Sequence, residues 1–347
     1  MSRLRVAIVG MGIGKSGGNA FTRNPRSVVS ALCDLAEDRM RAYAAQLPEN
    51  PKLYTDYREM CQDPNIDAVF VATPNQLHVP VALEAVRNGK HVIVTKPLAD
   101  SVEAARELAA EIEKTNLVGM TAFVSRFRPS TSFLRQHVLS GTFGELYYLR
   151  GRSVRRNGIP NWNVGFVRKG GGAFRDMGVH VLDACWWLMG RPKAISATGV
   201  AGAKFGPFGR GYRDNKAPAP EIVAQYEADD YAGGFIRFEN GVGLQIESFW
   251  ASHQPEEYQI ELFGTEAGAK LDPLTLYRHN NGEPYDVQFY SETGQVNWDR
   301  MMEHFISCIL DGTPCDAPIS DGLRVQEMME ALLLSSEKGH EVYINEL

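Results

Sequence analysis

The apolar run Leu4-Arg5-Val6-Ala7-Ile8-Val9 ends abruptly at Gly10-Met11-Gly12-Ile13-Gly14, and that junction restricts the fold more than any other stretch. A short run rich in β-branched residues reads as a buried strand. Glycines directly after it, with a helical segment beyond, mark a tight strand-to-helix turn of the kind that binds phosphate. Gly10 permits the turn, Gly12 lets the backbone approach a pyrophosphate, and the next helix offers its N-terminal amides. The usual third glycine would fall at Lys15; here it is Gly14, so the loop is one residue short.

Similar units follow. The strand Val28–Cys33 ends in Asp34, placed to accept hydrogen bonds from a ribose and to repel a 2′-phosphate, or else to cap the helix that follows. This favours NAD, with NADP the lesser alternative because Arg39 and Arg41 lie a turn later. The strand beginning at Asp67 runs into the turn Thr73-Pro74-Asn75, a helix covers His78–Asn88, and the strand His91–Thr95 ends in Lys96-Pro97. Repeated strand–helix units mean a parallel sheet with right-handed crossovers, whose functional groups gather at the carboxyl ends of the strands. Gly10, Asp34, Thr73, Asn75 and Lys96 all belong to that edge, and Pro97 fixes the backbone behind the lysine, where a cis peptide is a common device.

After residues 117–121 the pattern changes. β-type runs occur at Leu146–Arg156, Ala194–Val200, Ile222–Tyr226, Gly233–Phe238, Gly243–Trp250 and Tyr258–Phe263. Several alternate apolar with polar, as a mostly antiparallel sheet with one covered face does. Helices over Ala173–Leu188, Trp298–Leu310 and Asp321–Glu337 would cover that face. An α/β chain of two domains is expected, a dinucleotide-binding domain at 1–122 and a domain with a large, open-faced, mostly antiparallel sheet at 123–347. The last helix is expected to pack back on the first domain. So wide an open face favours a homodimer or homotetramer. The glycine- and proline-rich Gly202–Pro220 reads as a long loop, either a lid or an interface arm.

The second chemical motif is Gly171-Gly172-Ala173-Phe174-Arg175-Asp176-Met177-Gly178-Val179-His180. Asp176 and His180 are four apart and so share a helix face. No His, Cys or carboxylate nearby has the spacing of a third ligand, so no metal is expected there. The five cysteines are scattered without C-x-x-C spacing, which predicts neither disulfides nor a zinc site and points to a reduced cytoplasm. A net charge of −6 disfavours nucleic acid, and no apolar run reaches the roughly 18 residues needed to cross a membrane. Between Ser125 and Arg175 ten basic residues face a single acid, Glu145. They form either a clamp for an anionic sugar or a set of solvated and interface arginines. Arg126, Arg155 and the loop residue Trp162, suited to stacking on a sugar ring, are candidate substrate contacts.

Taken in order, the N-terminal glycine loop, Ala72-Thr73-Pro74-Asn75 with His78, Lys96-Pro97, Gly171-Gly172-Ala173 leading to Asp176 and His180, and Gly264-Thr265-Glu266-Ala267-Gly268 resemble the Gfo/Idh/MocA family. The resemblance spans nearly the whole chain. It implies a Rossmann domain followed by an α/β domain, and hydride transfer between NAD(P) and a secondary alcohol of a sugar, sugar derivative or cyclitol. Lys96, Asp176 and His180 would be catalytic and would touch the substrate. Gly10, Gly12, Ile13, Gly14, Asp34, Thr73, Pro74, Asn75, His78, Lys96 and Pro97 would line the cofactor. Thr95 stands where the family usually has glutamate. The alternatives are an NAD-retaining glycoside-cleaving enzyme of the same fold and a non-catalytic NAD-binding regulator.

Overall fold

The computed structural model describes residues 3–290 and 296–347, which fall into two compact units. The first runs to Phe127 and regains the chain in a segment ending at Gln326; the second begins at Arg128 and resumes at Glu327. The division therefore differs from a single boundary after residue 122. The returning segment holds the helix Val296–Leu310, whose Phe305 meets Phe21 edge-on at 6.3 Å while Trp298 meets Phe70 at 6.2 Å. Without it, that apolar surface of the first unit would face water.

The first unit is built on six parallel strands: β1 (Leu4–Val9), β2 (Ser27–Cys33), β3 (Lys52–Tyr54), β4 (Ala68–Val71), β5 (His91–Val94) and β6 (Gly119–Thr121). Their order is β3-β2-β1-β4-β5-β6, reversing beside β1. β4 is buried at every residue, as a strand covered on both faces must be. The strand ends bring Gly10, Asp34, Thr73 and Lys96 to one edge, where such sheets bind ligands.

Arg126 corrects an expectation. Its side chain is wholly enclosed in the first unit, where Nη1 pairs with Asp321 Oδ2 at 2.6 Å and also donates to the Asp316 carbonyl. A guanidinium so enclosed must be paired, and its partners lie on the segment that closes the sheet rather than at a substrate. The neighbouring Thr121 amide donates to the Ala317 carbonyl (2.8 Å), fastening the same segment to β6.

The second unit has nine strands: β7 (Leu146–Val154), β8 (Ala194–Gly202), β9 (Tyr231–Phe238), β10 (Gly243–Phe249), β11 (Glu257–Gly264), β12 (Gly268–Lys270), β13 (Thr275–Asn280), β14 (Glu283–Gln288) and β15 (Val342–Tyr343). They run β14-β13-β12-β11-β7-β10-β9-β8-β15, antiparallel except between β7 and β10. Ile222–Tyr226 is not a strand: Pro220 starts a short helix, Pro220–Ala224, which buries Ile222. Proline's fixed φ and missing N–H suit a first helical position better than a strand interior.

Along β7, Leu149, Gly151 and Ser153 are buried while Arg150 and Arg152 reach solvent. Arg150 pairs with Glu261 (2.9 Å) and Arg152 with Glu257 (3.1 Å), both on the adjacent β11. Part of the local excess of basic residues is thus matched by acids contributed from elsewhere in the chain. Gly202–Pro220 folds into short turns, one of them joined to Ile159 through Tyr212, so it is a packed element of this unit.

The buried helix Val179–Leu188 lies so close to the middle of this sheet that a Cβ at Gly151 would stand 2.8 Å from Cys185 Sγ and 2.9 Å from Val181 Cγ2. Gly151→Ala should therefore destabilise by about 1–3 kcal/mol through overpacking. Urea denaturation followed by circular dichroism reads this, and an unchanged midpoint would show that the helix gives way freely.

Candidate active site

The glycine loop is shaped by steric necessity. Gly10 has φ +94°, and a Cβ there would collide with the Ala72 carbonyl. A Cβ at Gly12 would meet nothing within 4 Å, so the loop faces open space. Gly14 opens the helix Gly14–Arg23 and would bring a Cβ to 3.0 Å from Ile8 Cγ2 and 3.3 Å from Ala72 Cβ. It thus supplies the close helix–strand packing assigned to the third glycine of such loops, although the loop is one residue short. Ile13 precedes it, half-exposed, and no side chain caps the helix start.

Asp34 Oδ2 accepts the Met11 amide (2.6 Å) and Oδ1 the Ala36 amide (2.8 Å). The next helix starts only at Glu37 with Ala36 as its N-cap, so the carboxylate braces the glycine loop instead of capping a helix. Thr73 Oγ1 is buried at this edge without a hydrogen-bond partner. A buried hydroxyl left unsatisfied points to a polar ligand that completes it. With the open face of Gly12, it makes the edge fit a dinucleotide. Pro74 and Asn75 lead into the turn Asn75–Leu77, and Lys96 stands partly exposed at the end of β5, before a cis Lys96–Pro97 peptide.

His78 corrects a second expectation. It is 1% exposed, with Nδ1 2.8 Å from the Pro97 carbonyl and Nε2 2.8 Å from the Thr73 carbonyl. Burial lowers its pKa, with the two carbonyls opposing. The ring therefore sits as a clamp behind the Thr73 and Pro97 turns, its single N–H donated to one of the two carbonyls, and has almost no surface to offer a ligand. Thr95 Oγ1 lies 3.0 Å from His78 Nε2 and donates to the Val71 carbonyl (3.1 Å), so the departure at Thr95 is absorbed by this clamp.

In the second unit the motif forms a π-helical turn, Phe174–Gly178, continued by the α-helix Val179–Leu188. Such turns recur at functional sites. Among Val179–Leu188 every residue is buried except His180, and in the π turn only Arg175 and Asp176 reach the surface. Arg175 is held by Glu330 (2.6 Å). Asp176 Oδ2 accepts Trp250 Nε1 (3.0 Å) from the end of β10. Trp250 is fully buried in a cluster with Ala173, Met177, Ile159 and Tyr212, so the carboxylate is oriented by a rigid donor.

Asp229 holds the start of the turn. Its carbonyl accepts the Ala173 amide (2.9 Å) and its Oδ2 the Phe174 amide (3.0 Å). Gly172 has φ +115°, and a Cβ there would overlap Asp229 Oδ1. Gly172 thus admits this carboxylate, while Gly171 admits the Phe166 carbonyl. Neither Trp250 nor Asp229 was found from sequence, because each lies more than fifty residues from the motif it supports. Trp162 is 56% exposed, with Phe166 edge-on at 5.8 Å and the Arg213 guanidinium 5.5 Å from its ring. Arg155 lies against Gly158, where a Cβ would overlap its side chain.

Burial pushes the Asp229 carboxyl up to about 6, opposed by the Phe174 amide and Arg175. A raised folded pKa means that the native state holds the proton more tightly than the unfolded chain. Stability from this group is fully present below about pH 4 and is lost as pH rises through about 6. Asp229→Asn keeps an acceptor for Phe174 and removes the buried charge. Its denaturation midpoint should fall less than the native protein's between pH 4 and 7, a difference on the order of 1–3 kcal/mol. Parallel pH profiles for the two proteins would contradict this.

Comparison with known proteins agrees with the geometry. The profile of the family "Oxidoreductase family, NAD-binding Rossmann fold" matches residues 4–123, and that of the "GFO/IDH/MocA C-terminal domain" matches residues 132–270. The chain is 33% identical to the D-glucoside 3-dehydrogenase of Escherichia coli, over 98% of this chain and 97% of that protein. It is 26% identical to the scyllo-inositol 2-dehydrogenase (NAD(+)) of Bacillus subtilis, over 92% of this chain and 91% of that one. A structure of levoglucosan dehydrogenase with NADH and levoglucosan shares the fold, with a TM-score of 0.85 at 22% identity over 99% of this chain and 100% of the other. The glycine loop, the lysine behind β5 and the Asp–His turn thus belong to a chain of the Gfo/Idh/MocA family of NAD-binding oxidoreductases.

Proposed function

We propose that the chain is an NAD-dependent dehydrogenase that oxidises a secondary ring hydroxyl of a glucoside or a related sugar or cyclitol. The observation that carries this reading is the exposure of Asp176 and His180 on an otherwise buried turn and helix, in a chain whose other unit is a dinucleotide cradle. Polar groups held so rigidly at a surface are arranged for chemistry rather than for stability. The relatives named for D-glucoside and inositol oxidation favour a neutral polyol ring, and the pairing of Arg150 and Arg152 with Glu261 and Glu257 leaves little reason for an anionic one.

NAD, held along the edge formed by Gly10, Gly12 and Thr73, would supply the hydride acceptor. The chain's own groups do the rest. A ring nitrogen of His180 takes the hydroxyl proton, the general-base role that imidazoles commonly fill. Asp176, fixed by Trp250, orients the imidazole or the substrate hydroxyl. Lys96 Nζ stabilises the negative charge that develops on the oxygen. The test is a panel of glucosides, free sugars and inositols with NAD, followed by nicotinamide absorbance. Free NADH should accumulate in step with oxidised product. Cleavage of a glycoside without net NADH would support an NAD-retaining hydrolytic enzyme instead, and binding without turnover a regulator.

Lys96→Ala and His180→Ala should each lower kcat by roughly 10²–10⁴-fold while NAD binding survives. Near-native turnover in either variant removes that residue from the mechanism. NAD should be preferred over NADP, because a carboxylate at the end of β2, Asp34, would repel the 2′-phosphate of a cofactor bound along this edge. A like-charge contact costs several kcal/mol, so kcat/KM should differ by about 10²-fold or more. Equal values for the two cofactors would refute the role given to Asp34.

A further inference from the structure

The cysteines look unrelated along the sequence, yet the fold brings two of them together beside a histidine. His304 and Cys308 lie one turn apart on the helix Val296–Leu310. The chain then turns through Gly312, at φ +70°, and brings Cys315 back beside them. A ring nitrogen of His304 and the sulfurs of Cys308 and Cys315 all lie within 4.8 Å of one another, and no disulfide joins the sulfurs. All three residues belong to the first unit, on the segment whose Asp321 pairs with Arg126.

We propose that His304, Cys308 and Cys315 bind a divalent ion of the zinc class, with a fourth position left to water. Two thiols and an imidazole are the ligand set that zinc selects over the harder cations. The spacing also fits. Tetrahedral zinc with ordinary bond lengths sets its sulfur and nitrogen ligands about 3.5 Å apart. Cys308 Sγ and His304 Nε2 are 3.5 Å apart. His304 Nε2 is the unprotonated ring nitrogen, since it accepts the Asp316 amide at 2.9 Å, and a metal ion would displace that hydrogen bond to take the lone pair. The Phe127 ring packs against the imidazole at 5.4 Å and limits its rotation. Cys308 is buried while His304 and Cys315 are partly exposed, so an ion can enter.

The ion would be structural. The loop it holds carries the Ala317 carbonyl that accepts the Thr121 amide of β6 and the Asp316 carbonyl that accepts Arg126. It would fasten the returning segment to the edge strand of the nucleotide-binding sheet, away from the glycine loop at β1. The inference does not rest on the proposed reaction.

The test uses the full chain, purified under reductant and stripped with a chelator. Titration with Co²⁺ should give one equivalent bound, with the intense near-ultraviolet absorption of cobalt–thiolate bonds, and Zn²⁺ should displace it. Cys315→Ser and His304→Gln should each weaken Zn²⁺ binding by at least about 10-fold, since losing a ligand exceeds the loss of a supporting group. Zn²⁺ should raise the thermal midpoint of the native protein more than that of either variant. Circular dichroism and NAD binding check that the variants are folded. The proposal is overturned if the reduced native protein gives no thiolate absorption, if that absorption persists in Cys315→Ser, or if two thiols vanish on air exposure without bound metal. That last result would make the pair a disulfide-forming one.

Discussion

The segment that carries Asp176 and His180 is held by packing on almost every side. The helix Val179–Leu188 lies against the centre of a nine-stranded sheet, close enough that β7 must carry Gly151 beneath it. Its leading π turn rests on the Trp250 cluster, and its first amides are tied to Asp229. Such a helix has no freedom to slide, so the two polar groups that escape burial inherit its rigidity. Preorganisation of this kind lets a small number of groups act without paying for reorganisation at each turnover.

The first unit solves a different problem with the same economy of space. Its parallel sheet aligns the strand ends, and close contacts among Gly10, Ala72, Gly14 and Ile8 bring the loop and helix down onto the sheet. Polar braces support the functional edge: Asp34, on the edge itself, holds the Met11 amide, and buried His78 lies behind it between two carbonyls. Groups that look like ligand contacts in a linear sequence include both kinds, those that face the ligand and those that hold its neighbours in place.

This distinction explains what the sequence made legible. Strands such as Leu4–Val9 were readable to the residue, because a buried parallel strand is a continuous apolar run bounded by glycine. The glycine loop and the Gly171–His180 motif were visible because their spacing is local. Short polar strands such as Glu283–Gln288, largely exposed, carry no such signal. Ile222–Tyr226 misled because a β-branched pair outweighed the proline before it. Arg126 and His78 were assigned outward roles because nothing in a sequence shows that Asp321 or the Pro97 carbonyl will be waiting. The pairing of Cys315 with His304 and Cys308 was missed for the same reason, since only a turn at Gly312 brings them together.

The return of the chain to its first unit bears on how the protein is made. The carboxylate that neutralises Arg126 and the aromatic rings that cover Phe21 and Phe70 arrive about 200 residues after Phe127 has been synthesised. At ribosomal speeds of some 5–20 residues per second, that interval is about 10–40 s. Throughout it the nascent dinucleotide-binding unit lacks the Asp321 carboxylate and the aromatic cover over Phe21 and Phe70. The second unit has most of its sheet within the same interval. The first unit therefore cannot close until the residues through Asp321 have emerged from the ribosome.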